Sequence, residues 1–143
     1  MNRAVTAERD IRLVEKQERI ARELERFQAE ARPETEGMAR EVADVLRSIH
    51  DHLFDPRLNV ASVKAWCAIR NNNISSRFRW AVGLGIREYI EGLRLEAAAQ
   101  LLREGDLEVY LVAMAVGYDH QETFCRAFQR RLGRPPSEYR LTT

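Results

Sequence analysis

The chain has 143 residues, room for one ordinary domain or two small ones, and its 45% hydrophobic fraction is enough for a core. Charged residues make up 31%, but the formal net charge is only +1, so bulk electrostatics give no reason to expect a nucleic-acid partner. Two cysteines, Cys67 and Cys125, and no apolar N-terminal run lead to the expectation of a reducing cytoplasm, with neither signal peptide nor membrane span.

From about Thr6 to Ala31 there is no glycine or proline, and Arg, Glu, Gln and Ala dominate, which predicts one long exposed helix. Leu13, Gln17, Ile20, Leu24, Phe27 and Ala31 recur at heptad spacing, with Gln17 as the polar member. Two arrangements fit this seam equally. In one, residues 1–31 form a coiled coil that makes a homodimer or passes a signal; in the other, the helix docks its narrow stripe on its own chain. Pro33 and Gly37 break the run, so residues 1–36 are expected to form a charged N-terminal segment and residues 37–143 the main domain.

Met38, Val42, Val45, Leu46, Ile49 and Leu53 share one helical face, and Asp55-Pro56 ends that helix. His50 and His52 fall on different faces and no Cys-x-x-Cys exists, so no metal is expected. Asn59 can cap a helix from Val60 to Ala68 that turns Val63 and Trp66 inward. Arg70 to Asn73 is a turn, Ile74 and Phe78 anchor a helix to about Val82, and Gly83 closes it. Between Glu88 and Glu104, Ile90, Leu93, Ala97 and Leu101 form one stripe, and Leu95, Ala98 and Leu102 a second. A helix apolar on two sides needs two neighbours, so this one is a connector. A short apolar helix then runs from Glu108 to a stop at Gly117, where the chain must turn left-handed. After a start at Asp119 or His120, Phe124 and Phe128 face inward and leave Gln121, Glu122, Cys125, Arg126 and Gln129 on other faces.

The second half repeats the first. At an offset of 50, Ile74 pairs with Phe124, Phe78 with Phe128, Gly83 with Gly133, Glu88 with Glu138 and Tyr89 with Tyr139. Upstream of the turn the offset is 49, pairing Val60 with Val109, Val63 with Val112 and Ala68 with Gly117. The predicted fold is all-α: a first helix-turn-helix at 57–86, a connector helix at 87–104 and a second helix-turn-helix at 106–140, preceded by the long N-terminal helix. Charge is local where it matters, since Thr123 to Arg140 carries five arginines against one acid, Glu138.

The last quarter resembles the second helix-turn-helix of the AraC/XylS family of bacterial transcription regulators. Ala113, Gly117, Tyr118, Phe124, Arg126, Phe128, Gly133, Pro136, Tyr139 and Arg140 stand at family spacing without a gap, and the likeness extends more loosely upstream to about residue 38. The resemblance implies groove-facing residues Gln121, Glu122, Cys125 and Arg126 in the second unit and Asn72, Ser75 and Ser76 in the first. Arg126 can pair bidentately with guanine, and Gln121 and Asn72 with adenine. Glu122 can accept from cytosine or orient Arg126, and Cys125 suits a base methyl. Arg79 and Arg130, a turn further on, are expected at phosphates. Trp66, Ile74, Phe78, Tyr89, Phe124, Phe128 and Tyr139 are expected in the core.

The first unit departs from the family pattern at Ala68, Arg70, Ser75 and Ser76, and Glu108 stands where the second unit usually has a serine cap. The first unit is therefore expected to specify sequence weakly and to hold phosphates through Arg70, Arg77 and Arg79. The function expected is a DNA-binding regulator of double-stranded DNA that reads two major-groove segments about 10 bp apart. The resemblance further implies an activator that meets RNA polymerase. No cofactor is implied, and no nucleophile set or phosphate loop points to an enzyme. The rival from another class is a protein-interaction module that uses the N-terminal helix and has lost DNA binding.

Overall fold

The computed structural model of the chain describes residues 3–139; residues 1–2 of the N-terminal segment, and Arg140 with the three residues after it, lie outside the described residues. Among the described residues eight helices follow one another with no strand: α1 (Arg3–Glu30), α2 (Arg40–Asp51), α3 (Val60–Trp66), α4 (Ile74–Val82), α5 (Ile86–Leu102), α6 (Val109–Ala115), α7 (Gln121–Leu132) and α8 (Pro136–Tyr139). The chain is all-α, with two helix-turn-helix pairs, α3–α4 and α6–α7, joined by α5.

The duplication seen in the sequence is a duplication of packing. Helices α2, α3 and α4 form one triplet and α5, α6 and α7 the next, and the first turn of α5 closes the first triplet as α8 closes the second. Phe78 meets Tyr89 edge to face at 5.7 Å between ring centroids, and Phe128 meets Tyr139 in the same way at 5.4 Å. Each tyrosine hydroxyl has a partner from the leading helix of its triplet or the residue that caps it: His50 Nε2 for Tyr89, and the Arg103 guanidinium, donating at 3.0 Å, for Tyr139. Val45, Ile49, Leu53, Val63, Ile74 and Phe78 are fully buried in the first unit, as are Leu95, Leu102, Val112, Val116, Phe124 and Phe128 in the second. Full burial of each such side chain stabilises by roughly 1.5–3 kcal/mol.

Local chemistry sets the ends. Asn59 caps α3 in a reciprocal box, Ser62 N donating to Asn59 Oδ1 at 2.8 Å and Asn59 N to Ser62 Oγ at 2.9 Å. Helices α4 and α7 both stop at left-handed glycines, Gly83 and Gly133. Glu108 precedes α6 without a side-chain cap and instead accepts from Lys16 Nζ at 2.6 Å.

That last contact belongs to α1, which lies on α5 and α6 of its own chain. Ile20, Leu24 and Phe27 are buried in the common core, Phe27 against Phe54, and Gln28 donates to the His50 carbonyl at 3.0 Å. Arg19 pairs with Asp106 at 2.6 Å and Glu104 at 3.2 Å. The other half of the seam leaves the body: Leu13 and Gln17 are exposed, as are neighbouring Ile11 and Val14. Trp66 also differs from expectation. It is 39% exposed and stacks on His52 at 4.2 Å, because the seven-residue α3 buries Val63 and ends with Trp66 at the rim.

Candidate nucleic-acid interface

Each unit presents one helix face that its core does not use. On α4, Ile74 and Phe78 point inward, which leaves Ser75, Ser76 and Arg79 on the outer face, all exposed. Asn72 lies in the turn before α4 rather than on it, and its Oδ1 accepts from Lys64 Nζ at 3.1 Å. Arg70 is exposed in the same turn, four residues ahead of the helix.

On α7, Gln121, Glu122, Arg126 and Arg130 are exposed, while Cys125 is half-buried at the edge of the face. Burial pushes the Cys125 thiol up, opposed by a hydrogen bond with the Gln121 side chain. The thiol is thereby kept neutral and weakly polar, the form suited to apolar contact. Arg126 reaches Glu122 at 3.7 Å across one helical turn, with side chains 78% and 88% exposed. A pair so exposed contributes only about 0.3–0.5 kcal/mol, so a stronger acceptor displaces it easily.

Several arginines expected at phosphates are held by carboxylates of the same chain. Arg79 pairs with Glu88 at 3.1 Å and Arg130 with Glu91 at 2.7 Å, both carboxylates on α5, and Arg77 with Glu41 of α2 at 3.6 Å. Between the units lies an open cleft of about 620 Å³ whose lining includes Arg87, Arg126, Arg130, Glu91 and Tyr118.

Two residues that matter here were not singled out by the sequence patterns. Arg94 sits among the buried residues of α5 and is itself only 8% exposed. Its Nε donates to the Leu53 carbonyl at 2.8 Å and its Nη2 to the Asp55 carbonyl at 2.7 Å, both in the first unit. On its other side it faces the turn of the second unit, with Cζ 6.0 Å from the centre of the Tyr118 ring. Burial lowers its pKa, with Tyr118, Asp55 and Asp119 opposing, but a guanidinium stays charged in proteins. The signal available was a charge in phase with Ile90, Ala97, Ala98 and Leu101. The second residue is Trp80 on α4, 90% exposed and out of phase with Ile74 and Phe78.

Comparison with known proteins gives this surface a context. A family model described as a helix-turn-helix domain matches residues 68–142. A putative AraC-like transcription regulator of Streptomyces lividans is 37% identical over 101 residues, covering 69% of this chain and 32% of the relative. The arabinose operon regulatory protein of Escherichia coli K12 is 31% identical over 103 residues, covering 72% of this chain and 35% of that protein. The chain thus spans about a third of these relatives. Against the regulatory protein SoxS of Escherichia coli K12 it is 32% identical over 99 residues, covering 69% of the chain and 92% of SoxS. The C-terminal domain of AraT, a response regulator from Geobacillus stearothermophilus, superposes with a TM-score of 0.69 at 28% identity, covering 73% of this chain and 87% of that one.

Proposed function

This chain belongs to the AraC family of helix-turn-helix, DNA-binding transcription regulators, and from that premise we propose that α4 and α7 read two successive major-groove segments of one duplex. The observation that carries the proposal is the pair of unused helix faces at equivalent positions of two repeated units, braced through the buried Arg94. Gln121, Glu122, Cys125 and Arg126 read the second half-site, with Arg130 at a phosphate. Asn72, Ser75 and Ser76 meet the first, with Arg79 at a phosphate, and discriminate weakly because a lone hydroxyl makes no bidentate pair with a base. Domain bounds of 37–143 for the DNA-binding part and 1–36 for the N-terminal segment belong to the same proposal.

Selecting bound duplexes from a random pool tests it. An asymmetric site with one sharp and one diffuse half is expected. Two equally sharp halves, or no enrichment at all, contradicts the reading.

The proposal extends to activation through contact with RNA polymerase in the cytoplasm, as the family resemblance implies; run-off transcription from a promoter carrying the selected site tests it. Among the described residues no helix is long and apolar enough to cross a membrane. Homodimerisation through residues 1–31 narrows to the projecting half of α1, where Ile11 and Val14 are 57% and 50% exposed. Sedimentation of the full chain and of an Ile11→Glu, Val14→Glu variant decides it: a monomer at tens of micromolar rules the dimer out.

A further inference from the structure

Trp80 has the largest exposure of any large apolar side chain among the described residues, 90%, so the indole does little for the fold. Its position is more telling than its exposure. Four residues after Ser76, it shares the outer face of α4 with Ser75, Ser76 and Arg79. It also forms the ridge between two surface grooves, one lined by Ser75, Arg79 and Arg87 and the other by Met38 and Arg77. Each groove also holds a carboxylate, Glu88 beside Arg79 and Arg87 and Glu36 beside Arg77, so the indole is the one large apolar surface between two mixed-charge flanks.

We propose that Trp80 is a DNA contact of the first unit, its indole packed on deoxyribose faces at the wall of the groove and its Nε1–H donated to a phosphate. The inference rests on the reading of α4 as a recognition helix. On such a helix the first turn meets base edges and the next reaches the backbone, whose sugars offer apolar faces beside phosphate acceptors. Ser75 and Ser76 supply little contact area, and Arg77 and Arg79 are held by Glu41 and Glu88. An indole meets the need, with a large rigid apolar surface and one donor at its tip. Because the contact is to sugar and phosphate, it supports affinity for every sequence rather than choice among them.

The chain has two tryptophans, so Trp66→Phe leaves Trp80 as the sole indole reporter. That variant is titrated with a random-sequence duplex and with a site selected from the random pool, and emission and acrylamide quenching are followed. At saturation the emission of Trp80 should shift and its access to acrylamide should fall. Trp80→Ala, in the otherwise native chain, should weaken binding to both duplexes about tenfold, from the apolar area it no longer covers. The salt slope should be unchanged, since no charge is removed, and Trp80→Phe should recover part of the loss. Full binding with unaltered Trp80 emission and quenching, and a Trp80→Ala variant that binds as tightly as the parent, overturns the inference while the DNA-binding reading stands. Failure of the parent chain to bind any duplex overturns both.

Discussion

The Arg94 guanidinium occupies the space a side chain on Gly117 would need: a Cβ there would stand 2.8 Å from Arg94 Cζ. Gly117 also holds a φ of 105°, and Arg94 cannot withdraw without giving up both carbonyls of the first unit. Gly117→Ala should therefore cost at least about 2 kcal/mol, the left-handed penalty adding to the displacement of a buried side chain. The equivalent turn in the first unit has Ala68 at a φ of 56°. There the reverse change, Ala68→Gly, should stabilise by up to about 1 kcal/mol. Urea unfolding of both variants checks the opposite signs.

Arg94→Met keeps much of the volume but strands the Leu53 and Asp55 carbonyls, and should destabilise by about 2–4 kcal/mol. Because Arg94 braces one unit against the other, affinity for the joined site should fall further than affinity for the second half-site alone. Equal losses on the two duplexes would reduce Arg94 to a general stability role.

Arg126→Ala should cost about 1–3 kcal/mol on the selected site and relax preference at one base pair. Arg130→Ala should weaken all sequences alike. Since Glu91 holds Arg130 at 2.7 Å, Glu91→Gln should tighten binding to random duplex. It should also steepen the log–log salt slope by about 0.9 for one added phosphate contact. Filter binding across a salt series reads all three.

Burial holds the His50 imidazole below its ordinary value of 6.5, with Asp51 opposing. The unfolded chain takes up a proton near pH 6.5 while the folded chain resists until lower pH, so this stability is fully present above about 6.5 and is lost as pH falls through the folded value. Asp55, held at about 2 by Arg57, keeps its charge throughout this window and adds nothing to the change. Thermal melts from pH 7.5 to 5 should show a falling Tm, and His50→Gln should flatten the trend.

Phe27→Ala should cost about 3–5 kcal/mol if α1 is part of the core. Val14→Ala, at a site 50% exposed, should cost little. Equal small effects in thermal melts would make α1 a peripheral helix.

What the sequence determined by itself was everything set by neighbours along the chain. Helix phase, the glycine stops at Gly83, Gly117 and Gly133, the Asn59 cap and the repeat of Ile74, Phe78 and Tyr89 in Phe124, Phe128 and Tyr139 all follow from local backbone chemistry and periodic burial, and these located the outer faces of α4 and α7. The tertiary structure alone decided which groups meet across elements. Arg130 found Glu91, 39 residues away, and Arg94 found a carbonyl 41 residues away. The heptad seam of α1, open to two arrangements in the sequence, buried Ile20, Leu24 and Phe27 on its own chain and left Leu13 and Gln17 exposed. Periodicity states which side of a helix is apolar. What covers that side, and which carboxylate reaches a given guanidinium, depends on distances in space that spacing along the chain does not encode.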